Sequence, residues 1–210
     1  MPGTPMLDFW FEFASTYSYP AAFRIGALAR DRGVLPRWRP FLLGPLFKAQ
    51  GWDNSPFNIY PAKGRYMWRD LARVCEELGA PFVRPAVFPQ NTILASRVAL
   101  VALAESWGED FCRAVYAAEF GEGRDVGVPE AVAAVLSGLK KDAAAVIERA
   151  QTDPIKLTLR RNTEEAQARG IFGAPSFVTA DGELFWGNDR LEAALDWART
   201  PSPRLRGEGA

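Results

Sequence analysis

The fold is decided by the stretch "LDFWFEFASTYSYPAAFRIGALARDRG", which occupies residues 7–33. Its first seven residues are rich in aromatic and branched side chains and too few for a helix, which predicts a central strand buried on both faces. From Tyr17 to Arg32 the apolar residues recur at helical spacing, and Gly33 ends the helix. The chain therefore opens with a strand, a turn and a helix, and the turn contains the polar segment "STYS" at residues 15–18.

The segments nearest to this opening, and those at the far end of the chain, also predict mixed structure. A second strand is predicted from Val34 to Leu43, where two prolines favour a sheet edge or a bulge. Strand, helix and strand at this spacing predict a parallel pair with a right-handed crossover. Pro154 to Arg169 is predicted to be helical, residues 175–187 form a hairpin that turns at Asp181-Gly182, and residues 188–199 form a last helix.

The middle of the chain has a different character. Residues 44–64 are rich in Gly, Pro and Asn, which predicts a long loop, and such a long irregular segment in a compact domain is usually functional. An all-helical block is predicted beyond this loop. Its helices cover Met67 to Leu78, Asn91 to Trp107, Glu109 to Glu119, Pro129 to Ser137 and Lys140 to Ala150.

The two ends of the chain are predicted to be α/β, and the block between them is predicted to be all-helical. This order is typical of an α/β protein with a thioredoxin-like fold, in which βαβ comes first and ββα comes last, and which here carries an inserted all-helical domain. The predicted thioredoxin-like domain comprises residues 1–44 and 151–200, and the loop with the helical insertion comprises residues 45–150. Residues 201–210 are predicted to be a disordered tail. Thioredoxin-like folds place a cis-proline at the start of the hairpin, opposite the N-terminus of the first helix, and Pro175 occupies that place.

Composition excludes several classes of function. Twenty-five basic residues balance twenty-five acidic ones, so neither nucleic acid nor a membrane surface is expected as a partner. The sequence has no secretory signal pattern and no apolar run long enough to span a membrane, so a cytoplasmic protein is expected. The absence of histidine excludes catalytic triads, H-E-x-x-H zinc sites and an imidazole base, and no metal site is predicted. Cys75 and Cys112 form no C-x-x-C pair and are expected to be buried and free.

The "STYS" segment has two interpretations. Ser and Thr are favoured helix N-caps, worth about 1 kcal/mol, so the hydroxyls can be structural. A hydroxyl at a helix N-terminus, beside unsatisfied backbone N–H groups and the positive end of the helix dipole, can also donate a hydrogen bond to a bound thiolate. In that second interpretation the serine is a donor and not a nucleophile, and it needs no histidine.

Four stretches together resemble a known family. They are "FWFEFASTYSYPA", "PAKGRYMWRDLARVCEELGAPF", "RNTEEAQARGIFGAPSFV" and "GELFWGNDRLEAAL". These stretches resemble 2-hydroxychromene-2-carboxylate isomerases and the related kappa-class glutathione transferases, in order, from about Leu7 to about Trp197. The resemblance implies a DsbA-like thioredoxin fold with a helical insertion, glutathione as cofactor, a small aromatic substrate and a homodimer.

The resemblance also implies roles for individual residues. Ser15 matches the active serine of the family's S-P-Y-S motif, although Thr16 replaces the proline. Asn54 and Lys63 match residues that contact glutathione, and Asn58 is an alternative to Asn54. An asparagine side chain can pair with the peptide, and an ammonium suits the glycine carboxylate.

The remaining implied contacts come from the end of the chain and from the loop. The backbone of Ala174, before Pro175, has N–H and C=O groups that can pair with the cysteinyl part of glutathione like an added strand. Asn188 and Asp189 match the pair that binds the γ-glutamyl end, although N-D before a helix is also an ordinary capping sequence. Phe47, with Trp52, is expected to wall an apolar pocket beside the thiol, whereas most other aromatic residues are expected in the core.

The implied activity is a glutathione-dependent isomerisation between 2-hydroxychromene-2-carboxylate and trans-o-hydroxybenzylidenepyruvate, or of a related aromatic compound. Two alternatives remain open at the level of sequence. The chain can be a kappa-like glutathione transferase or peroxidase, or it can be a non-catalytic thioredoxin-fold protein that binds a thiol or a peptide. A disulfide oxidoreductase is disfavoured because the C-x-x-C pair is missing.

Overall fold

The computed structural model describes residues 4–199, so the predicted tail at residues 201–210 lies outside the described residues. The strands are β1 (Met6–Phe11), β2 (Leu35–Pro40), β3 (Ser176–Thr179) and β4 (Leu184–Trp186). The helices are α1 (Ser18–Arg32), α2 (Leu43–Ala49), α3 (Pro56–Ile59), α4 (Pro61–Leu78), α5 (Ile93–Leu103), α6 (Gly108–Tyr116), α7 (Pro129–Gly138), α8 (Ala143–Ala150), α9 (Asp153–Ala168) and α10 (Leu191–Arg199). Of the helices in this part of the chain, none is both long enough and apolar enough to cross a membrane.

The four strands form one mixed sheet in the order β2-β1-β3-β4. β1 pairs with β2 in parallel and with β3 in antiparallel, and β3 pairs with β4 in antiparallel. The predicted parallel pair and the C-terminal hairpin are therefore confirmed. The proline-containing strand β2 lies at an edge, as a strand with missing N–H donors must.

Strand β1 is central and buried on both faces, as its sequence predicts. On one face Phe9 stacks on Phe177 with ring centroids 5.4 Å apart and meets Trp38 edge-on at 4.8 Å. On the other face Trp10 lies in a second apolar cluster with Phe41, and the guanidinium of Arg39 lies 4.5 Å from the Trp10 ring centroid. Because side chains alternate along a strand, the successive aromatic residues of β1 supply both layers of the core.

The helical insertion lies between β2 and α9 and is continuous with the sheet in its packing. The larger apolar cluster joins residues of β1, α1 and α10 to residues of α4, α5, α6, α7 and α8. The predicted thioredoxin-like order with an all-helical insertion is therefore confirmed. The domain boundaries at residues 44 and 151 stay a prediction.

The predicted loop at residues 44–64 is wrong, because this segment contains α2, α3 and the first turn of α4. Pro56 and Pro61 occupy first-turn positions of α3 and α4, where the missing N–H costs no hydrogen bond. The Ser55 hydroxyl caps α3 by accepting from the Phe57 N–H at 3.3 Å. Prolines that indicate a loop when counted by composition thus begin helices here.

The helix boundaries in the insertion differ from the predicted ones at several places. α5 begins and ends inside the predicted 91–107 range. α6 continues into a π-helical turn, Ala117–Gly121, which extends the predicted helix. Lys140 adopts a left-handed φ of 57°, so α8 starts only at Ala143, where the Asp142 carboxylate caps it by accepting from the Ala145 N–H at 3.1 Å.

The aromatic stack across the sheet should carry much of the stability. We expect Phe177→Ala to lower the free energy of unfolding by about 3–5 kcal/mol, because it removes a fully buried ring and leaves a cavity against Phe9. Urea unfolding followed by fluorescence measures the change. The control Phe23→Ala, at a side chain that is 49% exposed on α1, should alter stability by less than about 0.5 kcal/mol. Equal losses in both variants would contradict this assignment.

Candidate active site

A cleft of about 1140 Å³ opens between the end of the sheet and helices α2, α3 and α4. It is lined by most of the residues that the sequence singled out. These are Ser15, Phe47, Asn54, Lys63, Ala174, Asn188 and Asp189. Pro175 lies directly behind Ala174 and outside the lining, and the peptide bond between them is cis. The structure therefore brings seven of the eight predicted positions to one surface, although their roles stay predictions.

Ser15 lies in the turn between β1 and α1. The Ser15 N–H donates to the Glu12 carbonyl at 3.1 Å, and the Ser18 N–H donates to the Ser15 carbonyl at 3.1 Å. No side chain of residues 4–199 caps α1, and the Ser15 hydroxyl instead donates to the Ala174 carbonyl at 2.8 Å. The capping interpretation of this hydroxyl is therefore wrong. Thr16 is 1% exposed, and the same backbone bonds hold its turn without the family's proline.

The Ala174 carbonyl differs from what the sequence predicts. The sequence predicts a carbonyl that can pair with a tripeptide, whereas in the structure this carbonyl already accepts a hydrogen bond from the Ser15 hydroxyl. A carbonyl oxygen has two lone pairs, so this bond leaves one acceptor direction. In this geometry the oxygen of Ser15 can accept a hydrogen bond from a ligand, and the hydroxyl must turn away from Ala174 before it can donate one to a ligand.

Asn188 and Asp189 form a short 3₁₀ turn ahead of α10, as their sequence position predicts. Asn188 is buried, and its backbone and side-chain oxygens accept from the Arg24 guanidinium at 3.3 and 3.2 Å. Arg24 also pairs with Glu192 at 2.6 Å. Sequence reasoning missed Arg24 because its position on α1 resembles any solvated helix face. Its contacts fix the Asn188 oxygens and leave the Asn188 amide N–H groups for a ligand.

The residues from the insertion reach the cleft in different ways. The Asn54 side-chain oxygen accepts from the Ser55 N–H at 2.8 Å and from the Asn58 amide at 3.0 Å. Asn58 lies outside the cleft lining and also donates to the Phe88 carbonyl at 3.3 Å, so it supports Asn54. Lys63 lies in the first turn of α4 with its ammonium 5.5 Å from the Tyr60 ring centroid, and within residues 4–199 it has no carboxylate at ion-pair distance.

Tyr17 is a cleft residue that sequence reasoning missed. Its hydroxyl donates to the Asp70 carboxylate at 2.9 Å, and both residues line the cleft. Burial and this hydrogen bond raise the pKa of Tyr17 above its usual value, so it stays a neutral donor. The bond connects the Ser15 turn to α4, which carries Lys63.

Glu12 is a second cleft residue that was missed, because the sequence alone assigns it to the strand. Its Oε2 accepts from the Leu43 N–H at 3.0 Å, and its Oε1 accepts from the Thr92 hydroxyl at 3.3 Å. Burial raises the pKa of Glu12 from its usual 4.5 to about 7, and the two hydrogen bonds oppose that rise. A titratable carboxyl therefore lines the cleft three residues before Ser15.

Aromatic rings wall the cleft at two places. Phe47 and Trp52 lie 5.8 Å apart between ring centroids, as the prediction of an apolar wall requires. Phe172 and Trp186 lie 5.0 Å apart, and they are 47% and 52% exposed. The sequence predicts that most aromatic residues other than Phe47 and Trp52 lie in the core, but these last two border the open cleft.

The two cysteines lie elsewhere. Within the described residues, Cys75 and Cys112 are free, buried and outside the cleft lining. Burial raises the pKa of Cys75 to about 11 and that of Cys112 well above its usual value, so neither is a reactive thiolate at neutral pH. The described residues also contain no cluster suited to hold a metal ion. Thiol chemistry in this cleft needs a thiol from a ligand.

Fold and cleft together define a thioredoxin-fold protein that carries a serine where the first helix meets the cis-proline turn. Comparison with known proteins agrees, since the DSBA-like thioredoxin domain family matches residues 6–196. The chain belongs to this family, in the branch of the 2-hydroxychromene-2-carboxylate isomerases and kappa-class glutathione transferases.

The relatives that place it there match almost the whole chain. A 2-hydroxychromene-2-carboxylate isomerase of Sphingobium xenophagum is 31% identical over 191 residues, covering 90% of this chain and 95% of the relative. Glutathione S-transferase kappa 2 of Caenorhabditis elegans is 28% identical over 221 residues, covering 96% and 95%. A solved structure of a 2-hydroxychromene-2-carboxylate isomerase has a TM-score of 0.81 at 29% identity, covering 91% of this chain and 94% of that one.

Glu12 should make the stability of the protein depend on pH. Because the folded-state pKa of Glu12 is about 7 and its usual pKa is 4.5, the folded protein holds one more proton than the unfolded chain between these two pH values. The resulting stabilisation is complete below about pH 4.5 and is lost as pH rises through about 7. We therefore expect Glu12→Gln, which is always neutral, to gain stability relative to the wild type between about pH 5 and pH 8, by up to about 3 kcal/mol.

Urea unfolding of the wild type and of Glu12→Gln at about pH 5 and about pH 8 measures this gain in stability. The control Glu148→Gln, at an exposed position of α8, should keep the pH dependence of the wild type. If Glu12→Gln also kept that dependence, the raised pKa of Glu12 would be wrong.

Proposed function

We propose that the protein is a glutathione-dependent isomerase that interconverts 2-hydroxychromene-2-carboxylate and trans-o-hydroxybenzylidenepyruvate, or a related aromatic pair. One observation carries the proposal. Ser15, in the turn before α1, lines a cleft whose polar groups suit a tripeptide, while the described cysteines are buried elsewhere. Similarity to isomerases along nearly the whole chain supports the same activity.

Glutathione would lie across the cleft with its three parts on three sets of groups. The ammonium of Lys63 attracts the glycine carboxylate, and the free amide N–H groups of Asn54 reach the peptide. The backbone at Ala174 pairs with the cysteinyl part. The turn of Asn188 and Asp189 receives the γ-glutamyl end, because the start of a helix favours its carboxylate and Asp189 favours its ammonium.

In this pose the cysteinyl sulfur would lie beside Ser15 and the N-terminus of α1. A free thiol with a pKa of about 8.5 is only a few per cent ionised at neutral pH. A donated hydroxyl hydrogen bond and the positive end of the helix dipole favour the thiolate, and each unit by which they lower the thiol pKa enlarges its ionised fraction nearly tenfold. Ser15 acts as the donor, and the sulfur is the nucleophile.

The isomerisation follows from reversible addition. The thiolate adds to the conjugated alkene of the open-chain benzylidenepyruvate, and the alkene electron pair moves to the carbonyl as an enolate. The former double bond then rotates as a single bond, and elimination restores the alkene and the carbonyl and returns the thiolate. Covalent addition divides a forbidden rotation into easier steps. The aromatic pair Phe47 and Trp52 supplies an apolar wall for the aromatic ring.

The thiol balance tests this function. We expect the purified protein to convert 2-hydroxychromene-2-carboxylate only when glutathione is added, with no net loss of thiol by a colorimetric assay. Turnover that consumes thiol in proportion to product would instead identify a transferase, the activity named for the kappa relatives. Glutathione binding without turnover of these substrates would favour a binding protein.

Ser15 should be needed for the thiolate and not for the fold. We expect Ser15→Ala to lower kcat/KM about 10²-fold, because a buried donor to the reacting anion is lost, and to weaken the ultraviolet absorbance of the bound thiolate. Ser137→Ala, at an exposed position of α7, is the matched control and should behave like the wild type. Undiminished turnover in Ser15→Ala would contradict the proposed role.

Lys63 should recognise the glycine carboxylate. We expect Lys63→Gln to raise the Kd of glutathione about 3- to 10-fold, as suits an exposed ion pair. The glycyl ethyl ester of glutathione should bind the wild type more weakly by a similar factor and should bind Lys63→Gln as glutathione does. Calorimetry measures both ligands, with Lys156→Gln, an exposed lysine of α9, as control. Continued discrimination against the ester by Lys63→Gln would assign the carboxylate to another residue.

A further inference from the structure

The structure contains a buried acid whose role the proposed function leaves open. The chain has no histidine, so a proton that leaves a bound thiol needs another acceptor if it does not go to solvent. Ser15 cannot retain that proton, because a neutral hydroxyl that gains a second proton is a very strong acid, and its own hydrogen is already donated to the Ala174 carbonyl. Glu12 lines the same cleft and is linked to Ser15 through the backbone bond of their shared turn.

The surroundings of Glu12 hold its carboxyl in one place. The Leu43 N–H at the start of α2 and the Thr92 hydroxyl before α5 each donate to one carboxyl oxygen. The Tyr116 hydroxyl of α6 donates to the Glu12 carbonyl at 2.8 Å. Both protonation states are therefore compatible with this setting, because the carboxylate has two donors and the acid form keeps at least one of them.

Glu12 acts electrostatically on two other buried titratable groups, and the pKa values of both are raised. Tyr116 is fully buried, and burial raises its pKa well above its usual value. Glu119, in the π-helical turn, is also buried, and burial together with the charge of Glu12 raises its pKa well above its usual value. Within the described residues neither Glu119 oxygen has a hydrogen-bond partner, which fits a carboxyl that stays protonated. Glu12 is the member of this group that lines the cleft, and its pKa lies near neutrality.

We propose that the Glu12 carboxylate accepts the thiol proton when glutathione binds and returns it when glutathione leaves. The inference rests on the proposed glutathione binding. The S–H bond breaks, its electron pair stays on sulfur, and an O–H bond forms on Glu12, so the sulfur and the Glu12 carboxyl together hold one negative charge before and after the transfer. The Ser15 hydroxyl then turns from Ala174 to the sulfur, where it donates to the thiolate.

Conservation of charge is the physical advantage of this arrangement. A thiolate formed beside an ionised Glu12 would place two like charges in a poorly solvated site, and each would raise the pKa of the other. Transfer moves the single charge from the carboxyl to the sulfur. The pKa of about 7 for Glu12 is suitable, because a base whose pKa lies near the working pH is ionised and still holds a proton well.

The proton balance of glutathione binding tests the proposal. The wild type is mixed with glutathione in weak buffer, thiolate formation is followed by ultraviolet absorbance, and released protons are followed with a pH indicator. At about pH 8, one unit above the pKa of Glu12, we expect less than about a third of a proton to be released for each thiolate formed. At about pH 6 Glu12 already holds its proton, and we expect the release to rise to about one proton per thiolate.

Two variants complete the test. Glu12→Gln keeps an acceptor for the Leu43 N–H and cannot take the proton, so we expect about one proton per thiolate at both pH values. Glu119→Gln replaces a carboxyl that stays neutral outside the cleft, and it should match the wild type. If Glu12→Gln does not fold, the number of protons that the wild type releases per thiolate at about pH 8 and at about pH 6 decides whether Glu12 takes the proton.

The outcomes separate this inference from the function on which it rests. If the wild type binds no glutathione or forms no bound thiolate, the proposed function fails. If it forms the thiolate but releases about one proton per thiolate at about pH 8, the function stands and the role of Glu12 is overturned. A Glu119→Gln variant that behaves as predicted for Glu12→Gln would also overturn it, because the proton would then belong to Glu119.

Discussion

The hydrogen bond from the Ser15 hydroxyl to the Ala174 carbonyl connects the two parts of the chain on which the cleft depends. The two residues are 159 positions apart, yet they meet at 2.8 Å. They meet because β1 pairs with β3 in antiparallel, with Trp10 opposite Ser176, so that the end of β1 and the start of β3 reach the same edge of the sheet. The central strand thus determines where the first helix begins and which backbone turn faces it.

The helical insertion completes the site by attaching to the same turn. Tyr17 bonds to Asp70 of α4, while Glu12 receives hydrogen bonds from the backbone at the start of α2 and from the Thr92 hydroxyl. Buried polar groups need partners, so each of these bonds fixes an insertion element relative to the sheet. The insertion helices that line the cleft are therefore packed in one unit with the sheet.

Sequence predicted those features that local signals determine, and it missed those that depend on distant partners. The strand β1, the helix α1 and the hairpin follow from periodicity and turn residues, and they are confirmed. Pro56 and Pro61 misled the prediction, because a proline fits a loop and a helix start equally well and only the following backbone distinguishes them. Three residues carry no local signal, because their hydrogen-bond partners lie far away along the chain. Arg24 bonds to Asn188, Tyr17 bonds to Asp70, and Glu12 accepts from Thr92.

The absence of histidine is consistent with the electrostatics of this cleft. Two like charges about 5 Å apart repel by about 3 kcal/mol at an effective dielectric constant of about 20, so a buried site favours one net negative charge over two. A site with an imidazolium would hold a thiolate as an ion pair. A site with a carboxyl of pKa about 7 can instead hold the same charge on either oxygen or sulfur, and the donors at the start of α1 favour sulfur once a ligand supplies it. In the proposed mechanism a serine hydroxyl and a buried acid take the roles that other thiol sites assign to a base and a cysteine.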